Sequence, residues 1–249
     1  MLFRSLLAGT NATRRADKAK VQALLDFVTG HKPRRVLGPL APDQAEAYGL
    51  KVPSARLTVG ASPAFELTLG GTNPAGDGVY AESSAAKGVL LLLDAGYKAQ
   101  LAHGPEHFLD LRLMDFKEEA VTAARLAPGK VPLPGVEPGG FVLQRDKDSF
   151  AFAAPEAAKP LKVSAQAVRT WLRDLSQAKA SAVEPVALPV SGPALTLELS
   201  FKSGPAQTLT LYRDVKRPKV YIANSTFQPG RLRVEEESLA RLAPRIFTL

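Results

Sequence analysis

The sequence predicts an α+β protein made of two repeated modules, each an antiparallel β-sheet with a helix packed on one face. Three observations carry this. Turn formers are dense, with 20 Pro and 19 Gly among 249 residues, and they cut the apolar runs into lengths that suit short strands better than long helices. Two amphipathic helix stripes stand a fixed distance apart, and short alternating runs follow each stripe in the same order. A hydrophobic fraction of 45% against 22% charged residues is that of an ordinary globular chain able to bury a core.

The first stripe is Val21, Leu24, Leu25 and Val28, at the i, i+3, i+4, i+7 spacing of one helix face. Val168, Trp171, Leu172 and Leu175 repeat it at an offset of 147 residues, counted from Val21 to Val168. The same offset aligns Asp17 with Ser164, both good N-caps, and Phe3 with Phe150. A short strand at Arg35 to Leu37 has its counterpart near Val183. Beyond it, Leu57 and Val59 match Leu197 and Leu199, and Leu67 and Leu69 match Leu209 and Leu211, as two strands of a hairpin. Val79-Tyr80-Ala81 matches Val220-Tyr221-Ile222, Leu90 and Leu92 match Leu232 and Val234, and Leu101 matches Leu242. The last pair marks a final short helix, at about Tyr97 to Ala102 in the first copy.

The copies differ in two places. The first carries extra residues in Ala41-Pro-Asp-Gln-Ala-Glu-Ala-Tyr-Gly-Leu50, which reads as a helical turn closed by Gly49. The second opens with a hairpin, Phe141-Val-Leu-Gln144 turning at Asp146 to Ser149 and returning through Phe150, whereas the first has only the returning strand, near Leu2 to Leu7. An N-terminally truncated first module is therefore expected over 1–112, a connection with a Pro/Gly-rich loop (Pro128 to Gly140) over 113–140, and a second module over 141–249. A hairpin lacking its outer strand would leave an edge that proteins normally cover.

Several chemistries are excluded or weakened. Cysteine is absent, which removes disulfides, thiolate nucleophiles and Cys-ligated metals. His103 and His107 stand four apart, but Gly104-Pro105 breaks the helix that would place both on one metal-binding face, so they are weak metal candidates and no cofactor is expected. Gly70 to Gly78 is rich in glycine and offers Asn73 and Asp77 as weak ligand-binding candidates, yet it lacks the Gly-Lys-Ser/Thr ending of a phosphate loop and reads as a hairpin connection. Tyr80 and Tyr221, at matched places, suggest a packing role for both, with a shared ligand platform as the weaker reading, and are further weak ligand candidates. The pairs Glu118–Glu119 and Glu235–Glu237 suit solvated or helix-capping roles. No catalytic residue emerges. The formal charge of +8 gives a field that favours anionic partners, but the basic residues are scattered and no specific nucleic acid is expected.

Tyr48-Gly-Leu-Lys-Val-Pro53, Leu67-Thr-Leu-Gly70, Gly78-Val-Tyr80 and Asp110-Leu-Arg112 occur in that order. In this the chain resembles the bacterial DUF4340 family, whose members show a Tyr-Gly-Leu-x-x-Pro turn, a Leu-x-Leu-Gly strand end, a Tyr-centred strand and an Asp-Leu-Arg element. The resemblance is strongest over residues 45 to 112, and the second copy lacks the first and last of these motifs. It implies an extracytoplasmic location in the periplasm or cell envelope, a membrane anchor in a full-length form, and work beside an ABC transporter of the gliding-motility or export type. It supplies no catalytic residues.

The expected function is thus a non-enzymatic binding or assembly module, accessory to an ABC-type transporter, with a membrane protein or transporter subunit as partner. The alternatives are a binder of an anionic polymer, nucleic acid or cell-envelope polysaccharide, and a hydrolase using the His103/His107 region.

Overall fold

The computed structural model describes residues 4–6, 13–60, 62–131, 133, 139–184 and 190–242. In chain order the elements are β1 (Arg4–Leu6), β2 (Thr13–Arg15), α1 (Lys18–Gly30), β3 (Arg35–Pro39), β4 (Ala55–Val59), β5 (Phe65–Thr72), β6 (Gly78–Ser83), β7 (Val89–Asp94) and α2 (Gly96–Leu101). They continue with β8 (Val121–Pro128), β9 (Phe141–Asp146), β10 (Ser149–Ala154), α3 (Ala165–Ser176), β11 (Ala182–Glu184), β12 (Val190–Phe201), β13 (Gln207–Asp214), β14 (Val220–Ser225), β15 (Arg231–Glu235) and α4 (Leu239–Leu242). The protein is α+β, dominated by antiparallel sheet.

The chain divides into a unit of residues Ala16–Leu109 and a larger unit of Met1–Arg15 with Asp110–Leu249. This boundary falls elsewhere than the sequence places it. Residues 113–140 are not simply a connection, because β8 within them is bonded on both sides, to β12 and to β9. Residues 110–112 belong with the larger unit, where Asp110 N donates to Arg15 O (2.9 Å) and Gln228 Nε2 donates to Asp110 O (2.7 Å). Of the loop from Pro128 to Gly140, positions 132 and 134–138 lie outside the described residues, as do Phe3 and the ends of the strand expected at Leu2 to Leu7. The middle of that strand is β1, and its antiparallel partner is β2.

In the smaller unit the five strands lie in the order β3-β7-β6-β5-β4. In the larger unit eight strands lie in the order β10-β9-β8-β12-β13-β14-β15-β11, beside the two-stranded ribbon of β1 and β2. The order from β3 to β4 therefore recurs from β11 to β12. Registers agree as well: Leu57 opposes Leu67 as Leu197 opposes Leu209, and Val36 opposes Leu91 as Val183 opposes Leu232. Two pairings of the sequence reading shift by a residue. Leu69 opposes Ala81 and Leu211 opposes Ala223, so Tyr80 corresponds to Ile222 and not to Tyr221, and Leu91 and Leu93, not Leu90 and Leu92, take the places of Leu232 and Val234. The shared Val-Tyr dipeptide had suggested the wrong slide, whereas the strand pairing follows the buried alanines, Ala81 and Ala223, both fully buried.

The helices begin where the sequence indicates. The Asp17 side chain accepts from the amides of Ala19 and Lys20, and Ser164 Oγ accepts from Ala167 N (3.2 Å). Their packing differs. Val168, Trp171, Leu172 and Leu175 of α3 are all buried in the core of the larger unit, while α1 buries no residue fully and offers Phe27 and Val28 half-covered to the core of the smaller unit. The stretch 42–49 forms successive turns, one of them helical with Tyr48 N donating to Gln44 O (3.3 Å), closed by Gly49 at φ +70° as the sequence indicates. The hairpin of β9 and β10 turns through Lys147, as expected.

Candidate functional site

A cleft of about 590 Å³ lies in the larger unit, within the size range of ligand pockets. Five segments converge on it. β2 delivers Arg15; the segment after the buried Leu113 and Met114 delivers Asp115, Phe116 and Lys117; β12 ends in Phe201; β13 begins at Gln207; and the chain leaving β14 supplies Thr226 and Phe227. Phe116 and Phe201 meet at 5.9 Å between ring centroids. The Arg15 guanidinium lies 4.5 Å from the centre of the Phe227 ring and that of Arg112 lies 5.4 Å from it, a cation–π arrangement.

Hydrogen bonds hold these walls. Asp115 and Gln207 are joined reciprocally, Asp115 N donating to Gln207 Oε1 (3.0 Å) and Gln207 Nε2 to Asp115 O (2.6 Å). Arg15 Nε donates to Phe227 O (3.0 Å), which sets its guanidinium on the ring. Behind it, the buried Asp110 accepts from Arg112 Nε and Nη2, and Arg112 Nη1 reaches Asp115 Oδ1 at 2.7 Å. The Asp110 hydrogen bond, more than any other contact, raises the Arg112 pKa further above its ordinary value. Asp110 and Asp115 are thus committed to Arg112, whereas Lys117 is exposed and has no ion-pair partner among the described residues. What remains is an aromatic wall with cationic groups at its rim, suited to an anionic group carried on an apolar body.

The residues singled out from sequence lie elsewhere. Asn73 and Asp77 close the β5–β6 connection on itself: Asn73 Nδ2 donates to Asp77 Oδ1 (2.9 Å), Gly78 N donates to Asn73 Oδ1 (3.0 Å), and Arg34 Nη1 stands 3.0 Å from Asp77 Oδ2. The Asn73 amide first, and Arg34 after it, hold the Asp77 carboxyl below the usual range. Tyr80 is half-buried against Tyr48, ring centroids 4.7 Å apart. Tyr221 is fully buried in the core of the larger unit, so it is a packing residue and not a surface platform, and burial raises its phenol pKa. His103 and His107 do come together, their rings stacked at 4.0 Å, His107 on the short 3-10 turn Pro105–Phe108 and His103 just ahead of it, and burial, with His103 and Lys20 nearby, lowers the His107 pKa. Among the described residues no group of three His, Cys, Asp or Glu converges as a metal site.

The cleft escapes sequence reading because Phe116, Phe201 and Phe227 come from distant segments with no local motif; only the sheet order joins them.

The fold and cleft define an α+β protein, built mainly on two antiparallel sheets, with an aromatic, cation-rimmed cleft. The chain belongs to the DUF4340 family, described as Domain of unknown function (DUF4340), whose model matches residues 10–194. No curated protein and no solved structure matches it. No helix among the described residues is long and apolar enough to cross a membrane.

Proposed function

We propose that this chain is a non-enzymatic binding or assembly module, acting outside the cytoplasm beside an ABC-type transporter, and that its binding site is the cleft of Arg15, Phe116, Lys117, Phe201 and Phe227. The observation that carries the binding reading is the cleft's composition: aromatic walls, with Arg15 tied to Phe227 and Asp115 to Gln207 by hydrogen bonds, Asp110 and Asp115 paired with Arg112, and cations left at the rim. The location and the transporter partner rest on the family resemblance. An anionic polymer is the weaker reading, because Arg34, Arg112, Arg217 and Arg233 are engaged in ion pairs instead of forming an open basic face. The hydrolase reading has the stacked histidines, but among the described residues no three His, Cys, Asp or Glu side chains converge there as a metal site.

We also read the two sheets as versions of one module, each with its helix on one face. The recurring strand order, the capped helices beginning at Lys18 and Ala165, and the shared registers support this.

The cleft is tested with 8-anilinonaphthalene-1-sulfonate, an anion on an aromatic body. Saturable fluorescence that weakens roughly tenfold in Phe227→Ala and severalfold in Lys117→Ala is expected; binding indifferent to both substitutions would refute the site. The partner is tested by placing a photo-crosslinking amino acid at position 117 in producing cells. Adducts with a membrane-embedded transporter subunit are expected, and adducts confined to soluble proteins would overturn the assembly role.

A further inference from the structure

The two sheets differ at one edge. In the larger unit β12 is an interior strand, with β13 on one side and β8 on the other, and its core-facing Leu195, Leu197 and Leu199 are at most 1% exposed. In the smaller unit β4 stands where β12 would, but it pairs only with β5 among the described residues, and Ala55, Leu57 and Val59 are only partly buried. The other edge, β3, differs in kind. Its counterpart β11 is itself an edge, and β3 carries protection of its own, a register shift between Val36 and Gly38 followed by Pro39. β4 lacks both: its five residues pair with β5 without a bulge and include no proline, and its single charge is the exposed Arg56.

We infer that the free edge of β4 is a docking surface for an extended strand of a partner polypeptide, added antiparallel, as β8 is added to β12. The occupant's chemistry follows from β8. Its Ala124 and Leu126, opposite Leu199 and Leu197, are buried two residues apart, while Arg125 between them is exposed. A matching segment carries small or branched apolar residues at alternate positions facing the half-covered Ala55, Leu57 and Val59, and polar ones opposite Arg56 and Thr58. Main-chain hydrogen bonds supply the attachment and the alternating pockets the selectivity. This inference rests on the equivalence of β4 with β12 proposed above, and it is independent of the cleft.

The chain has no cysteine, so single thiols can be introduced cleanly. Full-length Arg56→Cys and Thr58→Cys variants, checked for unchanged circular dichroism, are incubated under oxidising conditions with synthetic peptides of residues 119–129, each carrying one cysteine between positions 123 and 128. If β4 binds as β12 does, trapping peaks at the Ala127→Cys peptide for Arg56→Cys and at Arg125→Cys for Thr58→Cys, roughly tenfold above neighbouring positions, since a disulfide tolerates little separation. The maximum moves toward the peptide N-terminus as the thiol moves toward the protein C-terminus, which only antiparallel pairing gives. Trapping that is absent or flat along the peptide overturns the docking surface. A sharp antiparallel maximum in another register upholds the edge and breaks its equivalence with β12. A dimer in sedimentation that saturating peptide dissolves would assign the edge to a second copy of the chain and overturn the partner reading.

Discussion

Replacing Gly70 with alanine tests the physical basis of two family motifs at once. The Tyr48-Gly-Leu50 turn lies against the end of β5 backbone to backbone: Gly71 N donates to Tyr48 O (2.8 Å), and a Cβ on Gly70 would stand 2.1 Å from that same oxygen. Relieving the clash to an ordinary contact moves the turn by more than 1 Å, which breaks the hydrogen bond, worth about 1 kcal/mol. Displacing the buried Leu50 and straining the bulge at Gly70 and Gly71 adds about 1–3 kcal/mol. The expected loss is about 2–4 kcal/mol. Gly71 is the control. Its added Cβ would meet Tyr48 O at an unremarkable 3.6 Å, so Gly71→Ala costs little and is partly offset by the reduced freedom of the unfolded chain, about 0.4–1 kcal/mol. Urea titrations followed by far-ultraviolet circular dichroism compare the two. Equal midpoints would refute the close-approach reasoning, because adjacent alanines differ here only in what their Cβ atoms meet.

Other outcomes follow from the same packing. Leu172→Ala on α3, fully buried, costs about 2–5 kcal/mol, while Leu25→Ala at the matching place on the half-covered α1 costs about 1 kcal/mol in the same titration. Burial alone would raise the Glu184 pKa, but hydrogen bonds from Arg233 and Arg217 outweigh it and the net displacement is downward. The stability this carboxylate contributes is therefore present at neutral pH and lost as the pH falls through its depressed folded-state pKa; Glu184→Gln costs about 2–3 kcal/mol at pH 7, the arginines being a third exposed, and flattens the acid limb of the stability curve. Asp110→Ala frees Arg112 from its bidentate partner and from its place on Phe227, costing about 2–3 kcal/mol and weakening anilinonaphthalene sulfonate binding.

What the sequence made legible was local. The helix stripes, the caps at Asp17 and Ser164 and the β9–β10 turn each rest on residues a few positions apart, so spacing and turn chemistry suffice. β8 was illegible for the converse reason. Val121-Thr-Ala-Ala-Arg-Leu-Ala-Pro128 is rich in alanine and has no strand signature, yet it is extended because β9 and β12 bond it from both sides. Tyr221 misled because identical dipeptides outweighed burial, which only the sheet decides. The cleft was illegible altogether, since Phe116, Phe201 and Phe227 share no local pattern.

The motifs that carry the family resemblance can now be given physical roles, and none of those roles is chemical. Tyr-Gly-Leu needs its glycine for φ +70° and for a close approach to β5, where a Cβ on Gly49 would stand 2.8 Å from Gly71 N. The glycine ending Leu-x-Leu-Gly receives that turn, the strand tyrosine packs on Tyr48, and Asp-Leu-Arg is an ion pair whose carboxylate is buried. A signature made of close backbone approaches and one ion pair specifies a scaffold, because each of its residues already has its steric or polar demands met within the fold. Groups left with capacity to bind something else must then be sought outside the signature. Lys117, Phe116, Phe201 and the free edge of β4 answer that description, and they differ from the signature in the one respect that matters for recognition: their contacts within the chain are incomplete.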